Sequence, residues 1–350
     1  MALLSSTASC MGIDIGSTGI KIVELKREGG LIKLVNYGFS ENEDQSAVDW
    51  QNNAPFAAKV INQIIKESGI GAASAVSALP TFSVFSSVLN LSNVSKKDIA
   101  SAIHWEAKKV IPLPLEDMIL DWKEIESPVG SRNGADKNNI KVLLTGAPRV
   151  LVKKYIEIFK LAKINLLSLE TETFSLIRSL LGSDKSTVML VEIGASTTDV
   201  SVADAAIPIL SRSIDVGGAA ITKTISKNLS ISQEQAEQFK YDMGVSEIGL
   251  KGGKAPQVII DSVAPIVNEI KYAINHFQGR DNRRIDKIIL SGGSALLPNL
   301  ADYFTKVLDM NVIIGDPWAR ISYPADLKPL LQEIGPRVGV AIGLAIRELE

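Results

Sequence analysis

A short stretch near the start of the chain returns, with the same order of residue types, about half a chain later. Ile13-Asp14-Ile15-Gly16-Ser17-Thr18 is matched by Val191-Glu192-Ile193-Gly194-Ala195-Ser196. Each copy is an apolar run, a carboxylate, an apolar residue, a glycine and then small or hydroxyl residues, and each is followed by a second apolar run. In the first copy two β-rich runs flank Gly16-Ser17-Thr18-Gly19, which is a hairpin signal. A supersecondary unit repeated at this distance predicts two similar lobes. A chain of 350 residues has room for them, since domains average roughly 150 residues. The expected fold class is therefore α/β, with two related sheets flanked by helices.

Further along, Leu31–Phe39 continues the first sheet, and residues 40–54 are polar and carry no pattern. Phe56, Val60, Ile61, Ile64 and Ile65 recur at helical spacing, ended by Ser68-Gly69. The uncharged stretch Ser68–Ser95 contains Pro80, Asn90 and Asn93, so it reads as two buried strands, 75–79 and 83–91, not a membrane span. Ile99, Ile103, Ala107 and Val110 predict a helix stopped by Pro112. Strands are expected at 118–125 and 140–145, joined by a polar hairpin loop over 127–134. A late glycine turn, Ser291-Gly-Gly-Ser294, follows the apolar run Ile285–Leu290, and Val338–Ile346 is an apolar helix candidate that closes the chain.

Composition narrows the chemistry. Lys plus Arg is 37 against 39 for Asp plus Glu, a net charge of −2, which argues against a general nucleic-acid binder. A single cysteine, Cys10, excludes a disulfide scaffold and a cysteine-based metal site. Two histidines, His104 and His276, leave little for metal ligation. Residues 1–10 lack a basic segment and an apolar core, so no secretion signal is read and a cytoplasmic location is expected. The chemistry falls to carboxylates, hydroxyls, lysines and backbone amides.

A tight turn of small residues points several N–H groups in one direction and makes an anion cradle, to which Ser17 and Thr18 add hydroxyls. Asp14 sits on the strand just before the cradle. A carboxylate beside a polyphosphate is repelled unless a divalent cation lies between them, which points to magnesium. The same reasoning applies to Glu192-Ile-Gly-Ala-Ser-Thr-Thr-Asp199. Two such hairpins facing each other would grip the phosphates of a nucleotide from both sides.

The order of first phosphate loop, second phosphate loop and late Gly-Gly turn resembles the actin, Hsp70 and sugar-kinase superfamily over nearly the whole chain. Within it the sequence is similar to the PilM family of actin-like proteins of type IV pilus assembly. The residues that carry this are Gly12-Ile-Asp-Ile-Gly-Ser-Thr-Gly-Ile-Lys21, Ala75-Val-Ser-Ala-Leu-Pro80, Glu106-Ala-Lys-Lys-Val-Ile-Pro112 with Leu115–Asp121, Val216-Gly-Gly-Ala-Ala-Ile-Thr222 and Ala236-Glu-Gln-Phe-Lys240.

The resemblance implies an actin-like, ribonuclease H-like fold. Lobe I would comprise residues 11–86, 166–186 and 335–350, with a small subdomain inserted over 87–165. Lobe II would comprise 187–218 and 265–334, with a further subdomain over 219–264. It implies ATP and Mg²⁺ in the cleft between lobes. Asp14, Gly16, Ser17 and Thr18 would hold phosphates and magnesium waters, with Lys21 following in the same hairpin. Glu192, Gly194 and Ser196 would form the second loop, and Asp14 and Glu192 would hold the metal through water. Gly217 and Gly218 would allow close approach to phosphate, Glu237 and Lys240 would reach ribose and base, and Gly292, Gly293 and Ser294 would bracket the adenosine. Glu170 or Glu172 would position an attacking water; Asp14, Glu170 and Glu192 form the catalytic set.

Glu192 stands where the superfamily usually has Asp, and no clear second base follows, so nucleotide binding is better supported than turnover. The implied role is an adaptor recruited to the inner face of the cytoplasmic membrane. Its implied partners are the N-terminal cytoplasmic peptide of a PilN-like inner-membrane protein and other pilus-assembly components, with self-association left open. The alternative is a small-molecule kinase on the same fold, which needs a carboxylate base aimed at a substrate hydroxyl.

Overall fold

The computed structural model describes residues 9–41, 49–92, 94–95, 97–125, 139–245, 257–281 and 283–350. The 127–134 loop, and residues 42–48 of the polar stretch after the third strand, lie outside the described residues. The chain divides into two compact units, Met1–Thr81 with Glu157–Glu350, and Phe82–Ile156.

The larger unit opens with β1 (Ser9–Ile15), β2 (Gly19–Glu28), β3 (Leu31–Glu41), α1 (Ala54–Ser68) and β4 (Ser74–Leu79). The smaller unit follows with β5 (Phe85–Ser92), α2 (Ile99–Val110), β6 (Met118–Ile125) and β7 (Asn139–Pro148), and α3 (Arg149–Ala162) leads out of it. The larger unit resumes with β8 (Asn165–Thr171), α4 (Glu172–Leu180), β9 (Val188–Ile193), β10 (Thr198–Asp204) and β11 (Ile207–Ile214). It ends with α5 (Gly218–Leu229), α6 (Gln233–Met243), α7 (Gln257–Asp281), β12 (Lys287–Ser291), α8 (Leu300–Leu308), β13 (Val312–Ile314) and α9 (Lys328–Arg347).

The repeat seen in the sequence is a repeat of topology. One sheet of the larger unit runs β3-β2-β1-β4-β8 and the other β11-β10-β9-β12-β13, the same order when each set is counted from its first strand. In both, the first strand pairs antiparallel with the second and parallel with the fourth. The smaller unit is inserted between the fourth and fifth strands of the first sheet. Its own sheet, β5-β7-β6, carries α2 over a core of Leu89, Leu91, Ile99, Ile103, Ala107, Met118, Val142 and Leu144. The spacing of Ile99, Ile103 and Ala107 explains that packing, because residues three and four apart share one helix face.

In the larger unit, one core cluster joins the two sheets. It draws Val23, Leu25 and Val76 from the first sheet, Leu190 and Ile289 from the second, and Leu176 and Ile177 from α4, around the residues of α9 from Leu331 to Ile346. The sequence shows only the apolar second half of α9; Pro336 lies inside the helix and hides its earlier start. Backbones come very close here. A Cβ on Gly12 of β1 would lie 1.8 Å from the Ala341 carbonyl oxygen, so only glycine lets α9 settle on β1. Gly12→Ala is therefore expected to lower stability by about 2–3 kcal/mol, because backbone on both sides has to move. Gly71→Ala, where an added Cβ meets open space, is expected to stay within about 0.5 kcal/mol. Urea denaturation of the two variants against the parent checks this, and equal midpoints would refute the close packing.

Candidate functional site

The site grows from the turns of the two hairpins. In the first, the Gly16 N–H donates to the Gly19 carbonyl at 3.0 Å; in the second, the Gly194 N–H donates to the Thr197 carbonyl at 2.9 Å. The indole of Trp50 donates to the Gly16 carbonyl at 2.8 Å and holds the first turn from behind. The second turn is tied to its surroundings through the Gly194 carbonyl, which accepts from the Gly218 N–H at 2.9 Å and from Ser294 Oγ at 3.4 Å. A third turn, after β12, places Gly292 at φ 84° with the Ile193 carbonyl oxygen 2.4 Å from where its Cβ would be. Any side chain at Gly292 would be both strained and blocked.

Hairpin register sets the charges. In β1–β2, Asp14 faces Lys21, and Lys21 Nζ lies 3.6 Å from Asp14 Oδ2. In β9–β10 the corresponding positions are Glu192 and Asp199, two carboxylates directly opposed. Opposite charges across a ladder stabilise it and like charges do the reverse. Glu172, the first residue of α4, joins the second pair: ligand atoms of Glu172, Glu192 and Asp199 all lie within 4.8 Å of one another. Glu172 accepts from the Thr81 N–H at 2.8 Å and the Thr81 hydroxyl at 3.2 Å, and Asp199 accepts from the Ser213 hydroxyl. Glu192 Oε2 is buried with no hydrogen-bond partner among the described residues.

Burial is the main cause that raises the pKa of each member of this cluster, since a charged carboxylate loses its water there. Glu172 is pushed up to about 8, with the charges of Asp199 and Asp14 adding to burial. Asp199 is pushed up to about 6, against the opposing hydrogen bond from Ser213. Glu192 rises well above the usual carboxylate range through burial, then Glu172, Asp199 and Asp14, with Lys21 opposing. The orphaned oxygen and the crowded negative charge suit a divalent cation, whose hard charge prefers carboxylate oxygens.

Asp14, Thr18, Lys21, Glu192, Gly194, Gly218, Glu237, Lys240, Gly292, Gly293 and Ser294 line one cleft of the larger unit. Gly16, Ser17, Ser196 and Gly217 lie in the adjoining turns and are not among the residues that line it. Lys240 is 2% exposed, and burial lowers its pKa. Its Nζ donates to Glu237 Oε2 at 2.6 Å, Thr222 Oγ1 at 2.9 Å and the Gly218 carbonyl at 3.4 Å. An ammonium has three protons, so Lys240 clamps α6 to α5 and orients Glu237, which is left to face the cleft.

Glu170 is placed elsewhere. Its carboxylate takes both Arg178 nitrogens, at 2.6 and 2.9 Å, and Arg178 also donates to the Gly343 carbonyl at 2.8 Å. The bidentate pair ties β8 to α4, the Gly343 bond ties α4 to α9, and the carboxylate that reaches the cluster is Glu172. Sequence reasoning assigned no role to Asp199, Tyr241 or Arg337, the last two of which also line the cleft. Asp199 was within reach, because hairpin register pairs it with Glu192 as it pairs Lys21 with Asp14. No local pattern marked Tyr241 or Arg337.

Raised carboxylate pKa values have a definite consequence for stability. Between the unfolded value of 4.5 and the folded value of about 8 for Glu172, the folded chain binds more protons than the unfolded one. Stability is then fullest at acid pH and is lost as pH rises through this window. The thermal midpoint of chelator-treated, nucleotide-free protein should fall between about pH 5 and about pH 8, and Glu192→Gln should flatten that fall by at least about 3 °C. A variant profile as steep as the parent's would count against the cluster as its source.

With this geometry in place, comparison with known proteins is informative. A cell division protein FtsA from Streptococcus pneumoniae is 22% identical over 344 residues, covering 87% of this chain and 75% of that protein. A solved PilM–PilN type IV pilus biogenesis complex superposes with a TM-score of 0.82 at 21% identity, covering 97% of this chain and 98% of the other. A crystal structure of MreB5 of Spiroplasma citri bound to AMPPNP gives a TM-score of 0.52 at 14% identity, covering 98% and 97%. These likenesses establish the actin-like fold that the resemblance implied. The family model of type IV pilus assembly protein PilM matches residues 12–349, and the chain belongs to that family.

Proposed function

We propose that this chain is an ATP-binding adaptor of pilus assembly, in which a magnesium nucleotide held in the cleft tunes affinity for a membrane-protein peptide. The observation that carries the reading is the pair of equivalent hairpin turns, closed by the same hydrogen bond, with Asp14 and Glu192 at equivalent positions of one cleft. In this reading the turns Gly16–Gly19 and Gly194–Thr197 receive the phosphates, with Thr18 and Lys21 as donors. Asp14 and Glu192 hold Mg²⁺ through its waters, and the metal supplies the positive charge that lets phosphates approach carboxylates. Glu237 takes the ribose, and Gly292, Gly293 and Ser294 bracket the nucleoside.

Holding the nucleotide is favoured over rapid turnover. In this reading Glu172 is the carboxylate that would orient a water, and burial together with Asp199 and Asp14 pushes its pKa up to about 8. A kinase would need a carboxylate directed at a substrate hydroxyl. Glu172 is instead bonded to Thr81 and gathered with Glu192 and Asp199 in one cluster, which favours the adaptor.

The nucleotide then acts as a conformational ligand: it shifts the balance of states only as far as it binds one better than another. The proposed partner is the N-terminal cytoplasmic peptide of a PilN-like inner-membrane protein. Family membership supports this, as does the likeness to a PilM–PilN complex. Among the described residues no helix is long and apolar enough to cross a membrane, so recruitment to the inner face of the membrane would fall to that partner. The smaller unit offers a recess beside the edge strand β5, lined by Leu91, Val94, Asp98, Ala102, Trp105 and Glu106, with Trp105 65% exposed. Exposed tryptophans are frequent anchors of binding energy.

Two measurements test the reading. Calorimetry with ATP and magnesium is expected to give micromolar binding that Asp14→Ala weakens at least about tenfold, a loss of about 1.4 kcal/mol. Unchanged affinity in that variant would move the nucleotide out of this cleft. A synthetic PilN-type N-terminal peptide is expected to bind the parent and to lose at least about tenfold in affinity to Trp105→Ala. Equal binding would place the peptide on another surface.

A further inference from the structure

Residues 40–54 are polar and without period, yet they carry one aromatic side chain, Trp50, which is 4% exposed. The segment around it is fixed locally. Asp49 accepts from the Asn52 N–H at 3.1 Å, and Asn53 caps α1 by accepting from the Phe56 N–H at 3.3 Å. The Phe56 ring stacks on the indole, with centroids 5.5 Å apart and planes within 5° of parallel. From this base the indole N–H donates to the Gly16 carbonyl at 2.8 Å.

That bond governs more than the carbonyl. A peptide unit is planar, and when it is trans its C=O and N–H point in opposite directions. No cis peptide occurs among the described residues. With the Gly16 oxygen held toward Trp50, the Ser17 N–H points away from it. Among the described residues Ser17 makes no hydrogen bond of its own, and Thr18 and Lys21 of the same hairpin line the cleft. The second hairpin has an equivalent arrangement. Its Gly194 carbonyl is held by the Gly218 N–H at 2.9 Å, and Ala195, whose N–H belongs to that same peptide, lines the cleft. The first hairpin uses a side chain where the second uses the start of a helix. We propose that Trp50 is a positioning residue that sets the plane of the Gly16–Ser17 peptide and so aims the Ser17 N–H at an anion seated in the first turn. The inference rests on the nucleotide reading above and names the residue that prepares its first turn. A donor fixed before the anion arrives costs no ordering on binding.

The test separates the N–H from the packing. Trp50→Phe keeps a ring against Phe56 and removes the N–H; Phe56→Ala removes the stack and keeps the N–H. ATP and inorganic tripolyphosphate are each titrated with magnesium into the full chain and both variants, below the thermal midpoint of each. Trp50→Phe is expected to weaken both ligands about tenfold, and Phe56→Ala to leave both within about twofold. The parent carries a signature as well. One of its four tryptophan indole resonances in a ¹H–¹⁵N spectrum, the one missing from Trp50→Phe, should shift on adding magnesium tripolyphosphate. If Trp50→Phe does not fold, that resonance is found by elimination with Trp105→Phe, Trp122→Phe and Trp318→Phe. Parental ATP affinity in Trp50→Phe, or a Trp50 resonance unmoved by tripolyphosphate, would overturn the assignment while leaving the nucleotide reading intact. So would a loss confined to ATP, or a loss of equal size in Phe56→Ala, which would make the effect one of packing. A parent that binds ATP but not tripolyphosphate would also overturn it. Failure of the parent to bind ATP would sink the nucleotide reading and this inference with it.

Discussion

The contact on which the larger unit depends is the seating of α9 between the two sheets. Gly12 lets the helix backbone touch β1, and Gly343 lets it touch α4, where a Cβ would lie 2.0 Å from the Ser175 carbonyl oxygen. The Gly292 N–H bond to Pro336 joins the same helix to the turn after β12. Close-packed interiors transmit displacement instead of absorbing it. The spacing between the first hairpin turn and the late glycine turn is therefore set by one helix, and the cleft is what that spacing leaves open. Arg178 serves the same seam, since its bond to Gly343 holds α4 against α9 while its bidentate pair with Glu170 holds α4 to β8.

Duplication supplied two equivalent hairpins, and substitution made them electrically different. In the first, Asp14 has Lys21 across the ladder; in the second, Glu192 has Asp199, with Glu172 added from α4. One half of the site is close to neutral by itself, and the other accumulates carboxylates in a buried place. Such a cluster responds to whatever lowers its charge, whether protons or a divalent cation. A ligand that binds only the folded arrangement stabilises it by mass action. A ligand at this half would stabilise it through ordinary electrostatics, which is the physical content of the adaptor proposed above.

Much of the site was legible because hairpins have short memory: a glycine turn, its flanking strands and the carboxylate before it are local. Lys240 and Glu237 were legible as neighbours on one helix face, but their division of labour was not. Lys240 spends its protons on Glu237, Thr222 and Gly218, and two of these come from another helix. The choice between Glu170 and Glu172 was likewise open. They are two residues apart at the end of β8 and the start of α4, and the outcome depends on where Arg178 and Thr81 come to lie.

By itself, the sequence determined the duplicated α/β architecture, the positions of the three glycine turns and the residue types of the two hairpins, because each rests on local spacing. Even the opposition of Glu192 and Asp199 follows from hairpin register alone. Tertiary structure decided what depends on distant segments meeting. It brought Glu172 to the second hairpin, took Glu170 to Arg178, and carried Arg337 from the last helix to the cleft. It also decided which buried carboxylates hold protons, since a pKa depends on neighbours from several elements and on the water that packing removes.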